Sequence, residues 1–330
     1  MASVSTDRRI DKLIHLLVKN ATVVVPGPKI ASEIGVTRST VWTWIEKLRA
    51  LGVEIKGHPA SGYQLAKLPD ILAPSLIRPE IGENEIGHRI VHYFRTDSTN
   101  VIAARLATEG APHGTVVVAE EQTAGRGRFG RSWFSEKSSG IYASIILRPP
   151  LAPSSAPAIT LLAGVAVHRA LSASTALPFD IRWPNDVLVN GKKVCGILTE
   201  MSAELDRLHS VVLGIGVNVN HSRMPEELAA IATSLRIELR KLISRAHLLV
   251  AVLKEVERQY HVLLAEGPAP IARAWAAASS FAEGRRVRVV VNGGDYTATT
   301  AGLEPTGALR LRRDSGEVIS LVSGEVTEMK

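Results

Sequence analysis

The chain of 330 residues has a single cysteine, Cys195, and therefore cannot form an internal disulfide. This is usual for proteins of the reducing cytoplasm. Its apolar runs are short and interrupted by glycine or charged residues, so we expect no segment that spans a membrane. Residues 1–9 contain no apolar stretch of the kind found in secretory signal peptides, and we therefore expect a cytoplasmic protein.

The sequence also lacks the short motifs of several enzyme classes. It contains no HExxH, CxxC or GxSxG, so a metalloprotease, a cysteine-ligated zinc site and a hydrolase with a nucleophile elbow have no support. The length predicts two or three domains. The composition, with 45% hydrophobic and 22% charged residues, is that of an ordinary globular protein.

Positive charge is concentrated in the N-terminal fifth of the chain. Residues 1–67 carry ten of the 39 lysines and arginines but only five of the 32 acidic residues. An excess of this kind indicates an anionic partner, with nucleic acid first.

The same segment has the pattern of a helix-turn-helix. Apolar residues at helical spacing predict a first helix over 8–19, Gly35 ends a second short helix, and Thr37 is suited to cap a third. Residues 37–50 would be the recognition helix, and 53–65 a two-stranded wing. The residues expected at the DNA are Lys29, Thr37, Arg38, Ser39, Thr40, Trp42, Thr43 and Lys47. The alternative is a small helical bundle that packs on the rest of the protein.

The remaining chain divides into three parts. Residues 67–88 contain three prolines and no strong period, which predicts a linker and the entry into the next domain. Strand and helix patterns then alternate, which predicts an α/β domain. The strands are expected at 90–95, 115–121, 141–148, 193–200 and 210–219, and the helices at 99–109, 157–173 and 246–265. Short β-rich runs over 284–328 predict a small antiparallel barrel of SH3-like size.

The segment 125–133 reads GRGRFGRSW and is the most informative part of the chain. Glycine lets a backbone approach a ligand closely, and the arginine fork fits phosphate or carboxylate. The segment does not end in Gly-Lys-Ser/Thr and is not expected to open a helix, so it is neither a P-loop nor a dinucleotide fingerprint. It predicts a loop that closes over an anion. The alternative is a solvated basic surface loop.

Four further motifs are ambiguous when each is taken alone. The run Asp97-Ser98-Thr99-Asn100 offers donors and acceptors at a helix start, or it simply caps the helix. Gln122 can read a urea or cyclic amide. The run RWPND at 182–186 could be an ordinary turn. Glycines at 214 and 216 suggest that a ligand or another backbone lies close to a strand.

Lys193 begins a strand from which it can meet an anion held by the arginine loop, or else it is an exposed hairpin lysine. Strand alternation places Lys193, Cys195 and Ile197 on one face, with Val194 opposite. Cys195 has no histidine nearby in the sequence and is expected to be a small buried residue.

In this order, the motifs DSTN, EQTAGRGRFGRSW, RWPND, GKKVCGIL and GIGVNVN after a winged helix-turn-helix resemble the biotin–protein ligase family. They resemble in particular its bifunctional members, which also repress the biotin operon. The resemblance covers essentially the whole chain. It implies an α/β multidomain protein: a winged helix-turn-helix at 1–67, a class II synthetase-like ligase domain with a seven-stranded mixed sheet at 68–280, and an SH3-like barrel at 281–330.

The implied activity has two steps and uses ATP, biotin and Mg²⁺. Biotin is activated to biotinyl-5′-AMP, and a lysine of the biotin carboxyl carrier protein of acetyl-CoA carboxylase then takes the biotin. Adenylate binding is expected to promote a homodimer and binding to operator DNA. The metal ligands stay open.

The resemblance also implies roles for individual residues. Those expected at biotin are Ser98, Thr99, Asn100, Gln122, Arg126, Gly127, Arg128 and Lys193, with Arg126, Arg128 and Lys193 as the catalytic cations. Those expected on the nucleotide side are Gly125, Gly130, Arg131, Trp133, Asn185 and Asp186. The loop is expected to order over the adenylate and shield it from water.

This chain departs from the family in three places. Phe129 stands where some members have another arginine, the run after Asn220 lacks an aromatic residue to stack on adenine, and the wing has no lysine before Gly62. Three alternatives remain. They are a metabolite-sensing transcription factor without ligase activity, a lipoate ligase with the same core, and a ligase whose N-terminal domain no longer binds an operator.

Overall fold

A computed structural model describes residues 4–5, 8–205, 207–291 and 294–329 of the chain. Part of the N-terminal segment used to argue against a signal peptide lies outside these residues. The N-terminal unit contains three helices and a hairpin, and hydrogen bonds across the hairpin pair Ile55 with Leu65. The elements are α1 (Arg8–Lys19), α2 (Gly27–Ile34), α3 (Arg38–Ala50), β2 (Ile55–His58) and β3 (Gly62–Leu65).

Local chemistry explains where these helices begin and end. Gly35 has φ 75°, a left-handed conformation that ends α2. Thr37 caps α3 by accepting a bond from the backbone N–H of Thr40 at 3.2 Å. The helix α3 buries Val41, Ile45 and Leu48, three or four residues apart. The predicted winged helix-turn-helix is therefore present, with the recognition helix where the sequence placed it.

A mixed sheet of eight strands forms the central unit, in the order β1-β4-β5-β6-β10-β9-β8-β7. Among the described strands of this sheet, only β4 and β5 pair in parallel. Seven strands come from the central unit, as the resemblance implied, and the eighth is the short β1 near the N-terminus. They are β1 (Val4–Ser5), β4 (Ile90–Arg95), β5 (Val116–Ala119), β6 (Gly140–Leu147), β7 (Phe179–Arg182), β8 (Asp186–Val189), β9 (Lys192–Ala203) and β10 (Leu208–Asn218).

Helix α5 packs on this sheet in a small apolar cluster with Val117 and Ile146. The other helices of the central unit contribute to the main hydrophobic core. The helix α6 meets the length and composition expected of a membrane span, but most of it is buried in this core. Its apolar character is thus explained by packing. The helices are α4 (Pro74–Ile81), α5 (Thr99–Thr108), α6 (Ala156–Ser174), α7 (Leu235–Leu239), α8 (Arg245–Glu266) and α9 (Pro268–Ala277).

The segment 67–88 was predicted as a linker and domain entry without a helix. The structure corrects this prediction, because the segment contains the helix α4. Pro74 occupies the first turn of that helix, where no intrahelical N–H bond is lost. Ile77 and Ile81, four residues apart, are buried in the main core. The prolines at 74 and 79 argued against a helix in the sequence, but packing of the apolar face stabilises α4.

The C-terminal unit is an antiparallel sheet in the order β14-β13-β12-β11-β15. The strands are β11 (Glu283–Val291), β12 (Gly294–Leu303), β13 (Leu309–Arg312), β14 (Val318–Leu321) and β15 (Glu325–Glu328). Within the described part of the chain, the edge strands β14 and β15 do not pair with each other, so the sheet is not closed. The structure supports a C-terminal β domain and leaves its SH3-like character as a proposal.

Candidate functional site

One small cavity brings together all eight residues predicted at biotin. It lies where α5 begins beside strands β6, β9 and β10, and the 125–133 loop crosses its mouth. The predicted residues on its walls are Ser98, Thr99, Asn100, Gln122, Arg126, Gly127, Arg128 and Lys193. Tyr142, Gly196, Gly214 and Gly216 also line it. Segments that are more than a hundred residues apart in the sequence therefore meet at one place.

The 97–100 run is held by a residue from outside its own helix. Ser98 occupies the N-cap position of α5, but its side chain accepts no capping bond. Instead the Oε1 atom of Gln122 accepts bonds from the Thr99 backbone N–H at 2.8 Å and from the Thr99 hydroxyl at 3.1 Å. The Nε2 atom of Gln122 donates to the Ser135 hydroxyl at 2.8 Å. The start of α5 is thus fixed by a residue of the cavity rather than by its own cap.

Asn100 is held by side chains from two other strands. Its Oδ1 accepts a bond from the Ser144 hydroxyl at 2.6 Å, and its Nδ2 donates to Glu200 at 2.7 Å. The space it occupies exists because position 214 is glycine, since a Cβ there would lie 2.2 Å from Asn100 Oδ1. The role of Gly214 is therefore to admit a side chain.

The indole of Trp133 likewise fits only because two neighbouring positions are glycine. A Cβ at Gly196 or at Gly216 would come within 2.7 Å or 2.6 Å of its indole. The sequence predicted a ligand or another backbone near the glycines of β10, and the structure places two side chains there. Both glycines also line the cavity, so the indole forms part of the floor that a ligand would meet.

Lys193 lies on a different strand face from the predicted one. The pairing of β8 with β9 shifts between Val187, opposite Cys195, and Leu188, opposite Lys193, which leaves Val194 as a β-bulge. A Cβ at Gly196 would lie 3.1 Å from Lys193 Nζ, so Lys193 shares the face of Gly196. Simple alternation had grouped it with Cys195 and Ile197. Cys195 is fully buried, and burial raises the pKa of its thiol.

The ammonium of Lys193 forms an ion pair with Asp186, with 2.6 Å between Nζ and Oδ1. Arg182 holds the other oxygen of Asp186 at 2.7 Å. Burial alone would raise the pKa of Asp186, but the charges of Lys193 and Arg182 lower it below its usual range. The same ammonium lies 5.3 Å from the centre of the Trp133 ring. Lys193 is therefore a charged wall of the cavity, and not a solvated hairpin lysine.

The arginines of the 125–133 loop contact the C-terminal unit. Arg128 donates to the backbone oxygen of Gly324 at 3.0 Å, and Arg131 pairs with Glu325 at 2.6 Å. Arg126 is exposed, and its charge helps to lower the pKa of Asp97, which burial opposes. Phe129 has φ 56° and lies 59% exposed, at the turn of the loop. The 125–133 loop, which was predicted to close over an anion, is thus held in place by backbone and carboxylate oxygens.

A second cavity adjoins the first and contains four of the residues predicted on the nucleotide side, Arg131, Trp133, Asn185 and Asp186. Gly125 and Gly130 are not among its lining residues. Instead they shape the loop: Gly130 has φ 73°, and a Cβ at Gly125 would lie 2.6 Å from the Trp133 oxygen. Arg128, Trp133 and Lys193 line both cavities and join them.

Several residues at or beside the site were not predicted from the sequence. Ser135 and Ser144 bond directly to predicted residues, and Tyr142 lines the cavity. Trp133 Nε1 and Asn218 Oδ1 are buried polar atoms with no hydrogen-bond partner in the structure. The serines lie in apolar or loop sequence with no motif, but Asn218, in the run GIGVNVN, was a polar residue at the end of a buried strand.

A buried ionic network lies behind the loop and reaches the segment that follows the wing. Arg245 and Glu120 are fully buried and pair at 2.8 Å, and Asp70 accepts a bond from Arg245 Nε at 3.0 Å. Burial by itself would raise the pKa of Glu120, but Arg245 and His92 lower it to about 2. Because Glu120 directly follows β5 and lies two residues before Gln122, the network holds the base of the cavity.

In the helix-turn-helix, six of the eight residues predicted at DNA are exposed. They are Lys29, Thr37, Arg38, Ser39, Trp42 and Thr43. Thr40 is half-buried and its hydroxyl bonds to that of Thr37 at 2.8 Å. Lys47 differs from the prediction, because its ammonium lies 4.4 Å from the centre of the Phe94 ring in β4. Burial lowers the pKa of Lys47. This lysine faces the central unit and not the free face of the helix.

Comparison with known protein families matches three segments. Residues 9–64 match an HTH domain, residues 93–218 the biotin/lipoate A/B protein ligase family, and residues 284–327 the biotin protein ligase C terminal domain.

Individual relatives agree with these segments. The bifunctional ligase/repressor BirA of Bacillus spizizenii is 39% identical over 92% of this chain and 94% of its own length. The biotin–[acetyl-CoA-carboxylase] ligase of Mycobacterium tuberculosis is 34% identical over 72% of this chain and 87% of its own.

A solved structure is similar as well. The biotin protein ligase from Aquifex aeolicus, in complex with biotin and ATP, superimposes with a TM-score of 0.63 at 30% identity. The match covers 72% of this chain and 97% of that one. With the motifs gathered in one cavity and a relative 39% identical along nearly the whole chain, the protein belongs to the biotin–protein ligase family, in its bifunctional ligase/repressor branch.

Proposed function

We propose that this protein activates biotin with ATP, transfers the biotin to a lysine of the biotin carboxyl carrier protein of acetyl-CoA carboxylase, and represses a biotin operon when the adenylate is bound. The observation that carries the ligase proposal is the cavity at which Arg126, Arg128 and Lys193 converge with Gln122 and the 97–100 run. A cavity with a polar, uncharged end and a cationic end suits a ligand with a ureido ring at one end and a carboxylate at the other.

In the first step, an oxygen of the biotin carboxylate attacks the α-phosphorus of ATP. The bond from that phosphorus to the bridging oxygen of the β-phosphate breaks, and pyrophosphate leaves. Two anions must approach each other, so the site has to neutralise both. In the second step the acceptor's lysine amine, having lost a proton, attacks the acyl carbon of biotinyl-5′-AMP, and AMP leaves. The chain needs no covalent nucleophile, because positioning and charge stabilisation supply the catalysis.

We assign the biotin ring to the uncharged end of the cavity and the reacting oxygens to the cations. The residues proposed to bind the ring are Ser98, Thr99, Asn100 and Gln122. Arg126, Arg128 and the Gly127 backbone would cover the carboxylate and α-phosphate. Lys193 would contact the same oxygens, and its ion pair with Asp186 orients the ammonium.

The nucleotide is assigned to the adjoining cavity, with Arg131, Trp133, Asn185 and Asp186 on its walls and the backbone of Gly125 and Gly130 shaping the loop. The partnerless Trp133 Nε1 is a donor on this side. The described residues contain no group of three His, Cys, Asp or Glu side chains that could hold a metal ion. Mg²⁺ is therefore proposed only as the companion of the ATP phosphates, and no step is assigned to it.

The loop must move before substrates enter. The first cavity measures about 50 Å³, whereas sites for small molecules commonly measure roughly 300–1,000 Å³. Arg128 and Arg131 are the contacts that would break, since they join the loop to Gly324 and Glu325. A loop that opens for substrates and closes over the adenylate would also keep water from the mixed anhydride.

We further propose the domain limits 1–67, 68–280 and 281–330, the last with an SH3-like fold. The proposal includes a homodimer that forms on adenylate binding and carries two recognition helices to operator DNA. Support comes from the exposed Arg38, Ser39 and Trp42, and from the positive charge of the first 67 residues.

The experiment is an incubation of purified protein with biotin, ATP and Mg²⁺, followed by gel filtration and mass analysis. We expect retained biotinyl-5′-AMP and transfer of biotin to a carrier domain. When the incubated biotin is labelled, excess unlabelled biotin should compete with it and lipoate should not. Transfer of lipoate in place of biotin would favour the lipoate ligase. Absence of any transfer, with biotin bound, would favour a sensor without ligase activity.

A further inference from the structure

The recognition helix α3 is anchored to the ligase domain by its C-terminal half. Lys47 places its ammonium 4.4 Å from the centre of the Phe94 ring. Lys137 donates a hydrogen bond to the backbone oxygen of Ala50, and the Ser138 hydroxyl donates to that of Leu51 at 3.4 Å. We call these three contacts the recognition-helix clamp.

Two of these contacts meet a specific need of the helix. The last carbonyls of an α-helix have no partner within the helix, and they form the negative end of its dipole. Ala50 is the last residue of α3 and Leu51 follows it. An ammonium from Lys137 and a hydroxyl from Ser138 therefore satisfy oxygens that solvent would otherwise bond, and they do so from another domain.

The anchors on the ligase side belong to the segments that form the biotin cavity. Phe94 lies near the end of β4, three residues before the 97–100 run. Lys137 lies two residues after Ser135, whose hydroxyl accepts the bond from Gln122 Nε2. The backbone N–H of Ser138 donates to the Glu120 oxygen at 2.8 Å, two residues before Gln122. The cavity wall is thus connected to α3 through a few residues.

The clamp leaves the expected DNA face of the helix uncovered. Arg38, Ser39 and Trp42, at the N-terminal half of α3, are exposed, and the Trp42 side chain is 57% exposed. The contacts therefore set the direction in which the helix points without occupying the surface that would enter a groove.

We propose that Lys137 is a positioning residue that couples occupancy of the biotin cavity to the orientation of the recognition helix. The inference rests on the proposed repressor function and adds its physical link. Gln122 Nε2 is bonded to Ser135 in this structure. A ureido ligand that takes the Gln122 amide competes with Ser135, shifts the 135–138 segment, and so changes the clamp at Ala50 and Leu51.

The test uses the full chain and a DNA duplex selected from a random pool by the wild-type protein with biotin, ATP and Mg²⁺. The quantity measured is the ratio of duplex Kd without ligands to Kd with them. We expect a ratio of about tenfold or more for wild type, since coupling between two sites is commonly about 5–150-fold. We expect a clearly smaller ratio for Lys137→Ala, in which only the contribution of dimerisation remains. The rate of adenylate formation should be unchanged in this variant.

Two controls separate coupling from loss of charge or fold. Lys137→Arg keeps a cationic donor and should restore most of the ratio. Lys254→Ala removes an exposed lysine of α8, away from the clamp, and should leave the ratio unchanged. A wild-type ratio in Lys137→Ala would overturn the proposal.

A second measurement does not depend on DNA. Hydrogen exchange of the α3 amides is compared with and without biotin and ATP. We expect a ligand-dependent change in wild type and none in Lys137→Ala, and an identical response in both would also overturn the clamp. If the pool yields no duplex but the exchange of α3 responds through Lys137, the operator function fails and the coupling stands.

Discussion

The indole ring of Trp133 lies directly on the backbone of Gly216, so that a Cβ at that position would come within 2.6 Å of Cε2 and Nε1. The ring belongs to the 125–133 loop and the glycine to the central strand β10. The loop and the sheet therefore fit closely against each other at Trp133, a residue that lines both cavities.

We predict that Gly216→Ala displaces the indole and weakens substrate binding. The added methyl cannot be accommodated by a small shift, because the contact is with a rigid ring packed between two glycines. Such overpacking typically costs about 1–3 kcal/mol, and here we expect it as a raised KM for biotin and ATP with a smaller loss of global stability. Gly27→Ala is the matched control, since a Cβ there meets nothing closer than 3.7 Å. Equal KM values for both variants and wild type would contradict the packing argument.

Lys193→Ala should severely reduce the first step, because it removes a charged group that stabilises the reacting oxygens. Loss of one preorganised charged donor typically lowers the rate by roughly 10²–10³-fold. The measurement is biotin-dependent exchange of pyrophosphate into ATP. Lys192→Ala is a matched control, since its neighbouring ammonium bonds to the Ala229 oxygen outside the cavity. Near-normal exchange in Lys193→Ala would refute the assigned role.

Arg128→Gly should leave biotin activation partly intact and let the adenylate escape. Arg128 lines both cavities and ties the loop to the backbone oxygen of Gly324. Without that side chain, the closed loop loses one of its contacts with the C-terminal unit and part of its cover over the anhydride, while the pair of Arg131 with Glu325 remains. We expect adenylate release to be at least roughly tenfold faster, which corresponds to about 1.4 kcal/mol. Release is followed by filtration of preformed labelled adenylate, with Arg128→Lys as the conservative variant. Wild-type retention in Arg128→Gly would be the contrary result.

Sequence patterns predicted the elements whose stability is local. The apolar spacing of α1, α3 and α8 and the cap at Thr37 were sufficient, because each of these three helices buries one face. Helix α6 is instead apolar and buried along most of its length. The motifs also identified every residue that the structure brings to the first cavity from the 97–100 run, Gln122 and the loop. The helices α4, α7 and α9 and the strands β1, β7 and β8 were not predicted. Most of them are short, and they owe their form to partners elsewhere in the chain.

Contacts between distant segments could not be derived in this way. The bulge at Val194 moves Lys193 to another face, and strand alternation contains no sign of it. The glycines of β10 were recognised as places of close approach, but the groups that approach, Asn100 and Trp133, come from a helix and a loop about a hundred residues away. Lys47 fits a DNA contact by position alone, and only the packing of α3 on Phe94 shows where its ammonium lies.

Removal of residues 1–66 should abolish DNA binding and preserve ligation. The cavity residues all follow this segment, and the network of Asp70, Glu120 and Arg245 remains complete. The deletion uncovers Phe94, Ile71 and Ala73, which pack in the N-terminal core, so we also expect a lower melting temperature. Biotin transfer by the truncated chain is compared with that of the full chain, and loss of transfer without loss of folding would contradict the expectation.

The stability of the protein should fall between pH 6.5 and pH 4 in a way that depends on His221. The side chain is fully buried, its Nε2 lies 3.3 Å from the Tyr142 hydroxyl, and its Nδ1 is without a hydrogen-bond partner. Burial lowers the pKa of His221 to about 4, whereas an unfolded histidine titrates near about 6.5.

Between these two values the unfolded chain binds the proton and the folded chain does not, so the free energy of unfolding decreases as the pH falls. The contribution is fully present above pH 6.5 and is lost progressively towards pH 4, with a total of up to about 3 kcal/mol. His221→Gln keeps a polar side chain that cannot be protonated in this range. Urea unfolding at pH 7 and pH 5 should therefore show a smaller drop for this variant than for wild type. His113 and His168, whose pKa values burial also lowers, are present in both proteins. The difference between the two drops thus isolates His221, and equal drops would show that its ring is protonated as easily in the folded protein as in the unfolded chain.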